Sequence, residues 1–144
     1  MDHVERLREI GFELGGDWKL STLRPVFEEL SRSPQKGVLY AFVSGETVLY
    51  VGKTTRTLRE RMNGYRYPHE TQRTNVNCGA KVAELLASGK PLQVYVRHQK
   101  NESMIGSFPI NEAAALEDSI IRELNPPWNR SGVSRRAEAP LNIT

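Results

Sequence analysis

Residues 37–52 constrain the fold more than any other stretch of the chain. They read Gly-Val-Leu-Tyr-Ala-Phe-Val, then Ser44-Gly45-Glu46, then Thr-Val-Leu-Tyr-Val-Gly. β-Branched and aromatic residues on both sides of a short glycine-containing turn predict a β-hairpin. With the turn centred on Gly45, Tyr40 stands directly opposite Tyr50 and both rings share one face. Leu39, Ala41, Val43, Leu49 and Val51 fill the other face. A hairpin that is apolar on both faces must be covered on both, so it is expected at the centre of a sheet.

The flanking segments are expected to supply the cover. Asp2 is placed to cap a helix carrying Val4, Leu7 and Ile10 and stopped by Gly11. Phe12-Glu13-Leu14 and Trp18-Lys19-Leu20 alternate around Gly15-Gly16-Asp17 and predict a short hairpin. Ser21 or Thr22 then caps a second helix, with Pro25 in its first turn and Leu23, Val26, Phe27 and Leu30 on one side. Thr54 or Thr55 caps the next helix, on which Leu58, Arg61, Met62 and Tyr65 share one face. A helix with Val82, Leu85 and Leu86 closes at Gly89, and Leu92 to His98 alternates as a third strand. After a loop from Gln99 to Ile110, Asn111 caps a last helix carrying Ala113, Leu116, Ile120, Ile121 and Leu124. Asn125-Pro126-Pro127 stops it. The expected class is therefore α/β: a small central antiparallel sheet of about three strands flanked by helices. Residues 1–36 are expected to form a helix-hairpin-helix appendage on the same domain, residues 37–129 the main domain, and residues 130–144 a flexible tail.

Charge becomes informative only by segment. The chain of 144 residues carries 20 Lys and Arg against 17 Asp and Glu, an excess too small to imply a polyanion partner. Residues 53–81, however, hold Lys53, Arg56, Arg59, Arg61, Arg66, Arg73 and Lys81 against only Glu60 and Glu70. Such a cluster suits nucleic acid, but on charge alone a solvated basic helix face is the preferred reading. The single Cys78 excludes an internal disulfide, and no Cys/His set has zinc spacing. No apolar run is long enough to span a membrane, and the N-terminus lacks the basic and apolar regions of a signal peptide, so a cytoplasmic protein without a membrane partner is expected.

Some polar residues fall on apolar faces. The helical neighbours of Glu117 are Ala113, Ile120, Ile121 and Leu124, which turns its carboxylate partly inward. A carboxylate taken out of water without a partner costs several kcal/mol, so a cation, a metal or a donor must face it; Arg61 in a structural salt bridge would suffice. The tyrosine pair is equally explained as sheet packing, and Arg61 with Tyr65, four apart, as a buried network. His69 in its basic loop reads as a solvated residue or a phosphate contact. Val51-Gly52-Lys53-Thr54-Thr55 lacks the upstream glycine of a P-loop.

Taken in order, these residues resemble the GIY-YIG endonuclease family. Val38-Leu39-Tyr40 matches its first motif, with Gly37 one residue early, and Tyr50-Val51-Gly52 matches its second. The run from Tyr50 to Arg61 places Arg61 as the family arginine, and Tyr65 stands where members carry His or Tyr. Ala115-Leu116-Glu117 through Trp128-Asn129 looks like the family's metal-binding glutamate helix and terminal asparagine. That segment is closest to the form in the N-terminal incision domain of the bacterial excision-repair nuclease.

The resemblance implies metal-dependent hydrolysis of a phosphodiester in DNA, without distinguishing RNA. It implies one Mg²⁺ (or Mn²⁺) held by Glu117, and transition-state charge stabilised by Arg61. Tyr40 is preferred as general base over Tyr50, with the two roles exchangeable; Lys53 and Tyr65 complete the network and Asn129 braces it. Arg56, Arg59, Arg66, Arg73 and Lys81 are candidate contacts to non-reacting phosphates. A module on the same fold that binds without cutting is the rival reading. It would be free to lose Glu117 or Arg61, and both are present. Specificity is expected from the chain's own loops, a partner protein or a dimer.

Overall fold

A computed structural model of the chain describes residues 2–69 and 71–130. The beginning follows the sequence reading. Helix α1 spans His3–Glu9, and the Asp2 side chain accepts from the Glu5 amide at 2.8 Å. Val4 and Leu7 are buried beneath it.

The next segment overturns the expected appendage. There is no hairpin at Gly15-Gly16; strand β1 runs unbroken from Glu13 to Ser21 and turns back only at Thr22-Leu23. The glycines serve close approach rather than reversal, because a Cβ on Gly16 would collide with the Glu28 carbonyl oxygen and the Phe27 ring. The expected second helix is strand β2, Arg24–Glu29, paired antiparallel to β1 with Phe27 opposite Trp18. Helical spacing in this segment is coincidental: Leu23 is 88% exposed and Leu30 62%. Trp18 enters the core, and cross-strand pairing overrides the local period.

Strands β3 (Lys36–Ser44), β4 (Thr47–Thr57) and β5 (Leu92–Arg97) complete one antiparallel sheet in the order β2-β1-β5-β3-β4. The sheet thus has five strands rather than three. Residues 13–29 form two of them, because β1 pairs along β5. A second, two-stranded sheet, β6 (Ser103–Ile105) with β7 (Phe108–Ile110), occupies the expected loop. Helices α2 (Leu58–Arg66) and α3 (Arg73–Ala87) cover one face of the main sheet, on Tyr40, Phe42 and Val94. Helices α1 and α4 (Glu112–Leu124) cover the other, on Leu39, Ala41, Val43 and Val51. The segment beyond Arg130, most of the expected tail, lies outside the described residues. Among the described residues no helix is long and apolar enough to cross a membrane.

Candidate active site

The hairpin differs from its expected register at its turn and at two irregularities along β4, and these shape the site. β3 is interior to the sheet, but β4 is an edge strand. Phe42 pairs with Tyr50 and Val43 with Val48, so Leu49 is an extra residue on β4. This bulge turns Leu49 and Tyr50 toward the same core cluster. Ser44 pairs with Thr47, so the turn holds two residues rather than three centred on Gly45; that shift and the bulge together place Tyr40 opposite Gly52, not opposite Tyr50. The two rings still share a face, with centroids 6.3 Å apart. A second irregularity lies between the Val38–Thr54 and Lys36–Thr57 pairs, where β4 again carries an extra residue. The strand is thereby prolonged to Thr57, which caps α2 instead of Thr54 or Thr55. Its hydroxyl accepts from the Glu60 amide, and the Glu60 carboxylate accepts from the Thr57 amide.

Helix α2 carries Arg61 and Tyr65 onto the tyrosine face. The Arg61 Nε donates to the Tyr40 hydroxyl at 3.0 Å and Nη2 donates to the Tyr65 hydroxyl at 2.8 Å. The Tyr40 and Tyr65 hydroxyls are 2.5 Å apart. Tyr50 packs on the Tyr65 ring with centroids 6.4 Å apart. Tyr40 is 0% and Tyr65 2% exposed, whereas Tyr50 is half-buried. Burial pushes all three phenols above their ordinary range, opposed in each case by the Arg61 charge. Burial likewise pushes the Cys78 thiol up to about 12, so this sulfur is packing rather than a nucleophile.

Helix α4 contributes Glu117 from the opposite face of the sheet. Its Oε1 lies 2.9 Å from the Lys53 ammonium of β4. Lys53, Thr54, Arg56, Arg61, Asn111 and Glu117 line one cleft of about 450 Å³. The expected structural bridge between Glu117 and Arg61 is absent, since the partner of Glu117 is Lys53. The Lys53 side chain is 47% and the Glu117 side chain 22% exposed. A pair this wet is worth about 0–1 kcal/mol, so an incoming cation can displace the lysine cheaply. Among the described residues no group of three or more His, Cys, Asp or Glu side chains gathers to hold a metal. One carboxylate facing an open cleft nonetheless fits Mg²⁺, which keeps most of its water shell when bound.

The remaining basic residues separate. Arg56 is exposed in the cleft, with Glu60 3.9 Å away. Arg59 is tied to Glu29 of β2 at 3.3 Å. Arg66 lies over the Tyr67 ring, and Arg73 is exposed in the first turn of α3. Lys81 lines a different groove, with Lys90 and Trp128. His69 stays in its loop, bonded to Thr71. Asn75, which the sequence reading missed, is 7% exposed and accepts from Arg61 Nη1 at 2.9 Å. A lone asparagine on a helix carries no signal that would have found it.

Asn129 brackets the edge strand. Its Oδ1 accepts from the Val51 amide at 2.8 Å and its Nδ2 donates to the Val51 carbonyl at 2.9 Å. The side-chain amide stands in for a missing sixth strand beside Tyr50. Replacing Asn129 with alanine is expected to cost about 1–3 kcal/mol, the toll of leaving two backbone groups to find water. Urea unfolding checks this; a midpoint unchanged from wild type would show that the bracket is idle.

No model of a known protein family matches the chain. Over 107 residues it is 30% identical to endonuclease II of Enterobacteria phage T4, a span of 71% of this chain and 78% of that protein. A solved structure of a bacteriophage T4 EndoII mutant superposes with a TM-score of 0.71 at 24% identity, covering 89% of this chain and 98% of that one. The restriction endonuclease HPY188I, in complex with product DNA, superposes with a TM-score of 0.55 at 15% identity, covering 87% and 82%. The two structural likenesses are likenesses of fold.

Proposed function

The chain belongs to the family of endonuclease II of Enterobacteria phage T4, a family of DNA-cleaving hydrolases, and from that premise we propose that it cuts DNA by a GIY-YIG-type mechanism. The observation that carries the reading is the meeting of Glu117, Lys53 and Arg61 in one cleft, although they come from opposite faces of the sheet. The tyrosines stand behind Arg61. The proposal rests on the cleft and not on the resemblance of the segment around Glu117 and Asn129 to the excision-repair form.

Hydrolysis asks for three things: a deprotonated water, charge stabilisation as the phosphorus becomes five-coordinate, and neutralisation of the leaving oxygen. Glu117 would hold one Mg²⁺ or Mn²⁺, which when bound supplies Lewis-acid stabilisation of the leaving oxygen. Arg61 binds the scissile phosphate and meets the growing negative charge. Tyr50 takes the proton from the attacking water. Exposure favours Tyr50 over Tyr40 here, because the Tyr40 hydroxyl is sealed between Arg61 and Tyr65. Tyr40 and Tyr65 then hold the guanidinium. Lys53, once freed from Glu117, pairs with a phosphate oxygen. Arg56 and Arg73 supply exposed charge for flanking phosphates, with affinity that falls steeply in salt.

Nicking of supercoiled plasmid with Mg²⁺ or Mn²⁺ tests the function. Clean protein that binds DNA and never cuts in either metal, on duplex or branched substrates, overturns it. The pH dependence tests the base. The Tyr50 phenol lies above its ordinary range because it is buried, so at neutral pH the phenolate is scarce and grows with pH. The cleavage rate is therefore expected to climb about tenfold per pH unit from roughly pH 6 upward. Tyr50→Phe is expected to lower it about 10²–10⁴-fold. A flat profile would exclude a tyrosine base.

A further inference from the structure

We infer that Asn75 is the positioning residue for Arg61, locking the guanidinium in the orientation that the phosphate requires. The inference rests on the endonuclease reading and adds a residue outside the motifs that support it. The network fixes its own polarity. Arg61 and the His69 backbone amide can only donate. Gln72 therefore presents Oε1 to the His69 amide at 3.3 Å, and the same oxygen accepts from Asn75 Nδ2 at 3.1 Å. That leaves Asn75 Oδ1 facing Arg61 Nη1 at 2.9 Å.

Each guanidinium nitrogen is then committed through one N–H: Nε to Tyr40, Nη1 to Asn75, Nη2 to Tyr65. Arginine has five N–H donors, so one remains on each terminal nitrogen, and two donors suit a phosphate's paired oxygens. Tyr40 and Tyr65 anchor one side of the group, and the Tyr65 ring lies against it at 4.1 Å. Only Asn75 holds Nη1 among the described residues. Without it the group keeps its charge and its two tyrosine bonds, but its Nη1 end loses its restraint and can tilt away from the geometry that the phosphate requires. Helix α3 comes close enough to do this because a Cβ on Gly79 would lie 2.6 Å from the Tyr65 carbonyl oxygen.

A misplacement of about 1 Å costs about 10²-fold in rate, so Asn75→Ala is expected to lower kcat about 10–100-fold and to leave KM within about threefold. Asn75→Ser, polar but too short to reach Nη1, is expected to behave alike and serves if the alanine variant does not fold. The deciding measurement is a cycle with Arg61→Lys in single-turnover cleavage of a DNA duplex. Lysine has no planar group and no Nη1 for Asn75 to orient, so the Asn75 substitutions should cost far less in that background than in wild type. An equal further loss there, or an unchanged kcat in a folded single variant, overturns the positioning role. Wild-type protein that fails to cut would instead overturn the endonuclease reading itself.

Discussion

Glu117→Ala is expected to abolish metal-dependent cleavage, by about 10³-fold or more, while the protein stays folded and still binds DNA. The size follows from the chemistry. A bound divalent ion supplies several kcal/mol of transition-state charge stabilisation, and each 1.36 kcal/mol is tenfold in rate. The spared stability follows from exposure. Glu117 meets Lys53 in a half-exposed pair worth about 0–1 kcal/mol, too little to unfold a domain. Binding should hold or tighten, because the substitution removes the carboxylate from a cleft shared with Lys53, Arg56 and Arg61. Gel shift without divalent metal and nicking with it, on the same preparations, separate the two effects. Equal cutting by wild type and Glu117→Ala would remove the metal from Glu117. Loss of folding would mean that the Lys53 pair holds far more than its exposure allows.

The site was more legible in the sequence than the sheet that carries it, and particular residues show why. Glu117 could be singled out because a carboxylate among Ala113, Ile120 and Leu124 violates the helix's own pattern. Its partner could not, because Lys53 and Glu117 are 64 residues apart and meet only through tertiary folding. Alternation placed Tyr40 and Tyr50 on one face correctly, yet could not see the two-residue turn and the bulge at Leu49, each of which moves their pairing by one residue. Strand β2 misled most. Leu23, Val26, Phe27 and Leu30 match a helix face, and only the pairing of Phe27 with Trp18 overrules it. Local period is a weak prior where a neighbouring strand offers a full ladder.

Gly52→Ala is expected to be the most damaging single methyl that the hairpin can receive. The backbone would welcome it: φ at Gly52 is not in the left-handed region, and glycine-to-alanine changes at compatible positions ordinarily stabilise by about 0.4–1 kcal/mol. Sterics reverse the sign. The new Cβ would lie 2.6 Å from the Tyr40 hydroxyl, 2.8 Å from Cζ and 3.0 Å from Tyr50 Cε2. Tyr40 has no room to yield, since its ring meets Phe42 at 5.8 Å and Tyr65 at 6.3 Å between centroids. Overpacking costs about 1–3 kcal/mol, and a strained bond to the Arg61 cation about 1.5–3 more. A loss near 3 kcal/mol would lower Tm by roughly 10 °C. Cutting by the protein that remains folded should fall at least about 10²-fold, because moving Tyr40 moves Arg61 with it. The double variant Gly52→Ala/Tyr40→Leu tests the cause. Removing the hydroxyl and Cζ vacates the space the methyl needs, so part of the lost Tm should return, while cleavage stays low for want of the Tyr40–Arg61 bond. Wild-type stability in Gly52→Ala alone would mean that Tyr40 does not lie across Gly52, and the bulged register between β3 and β4 would have to be abandoned.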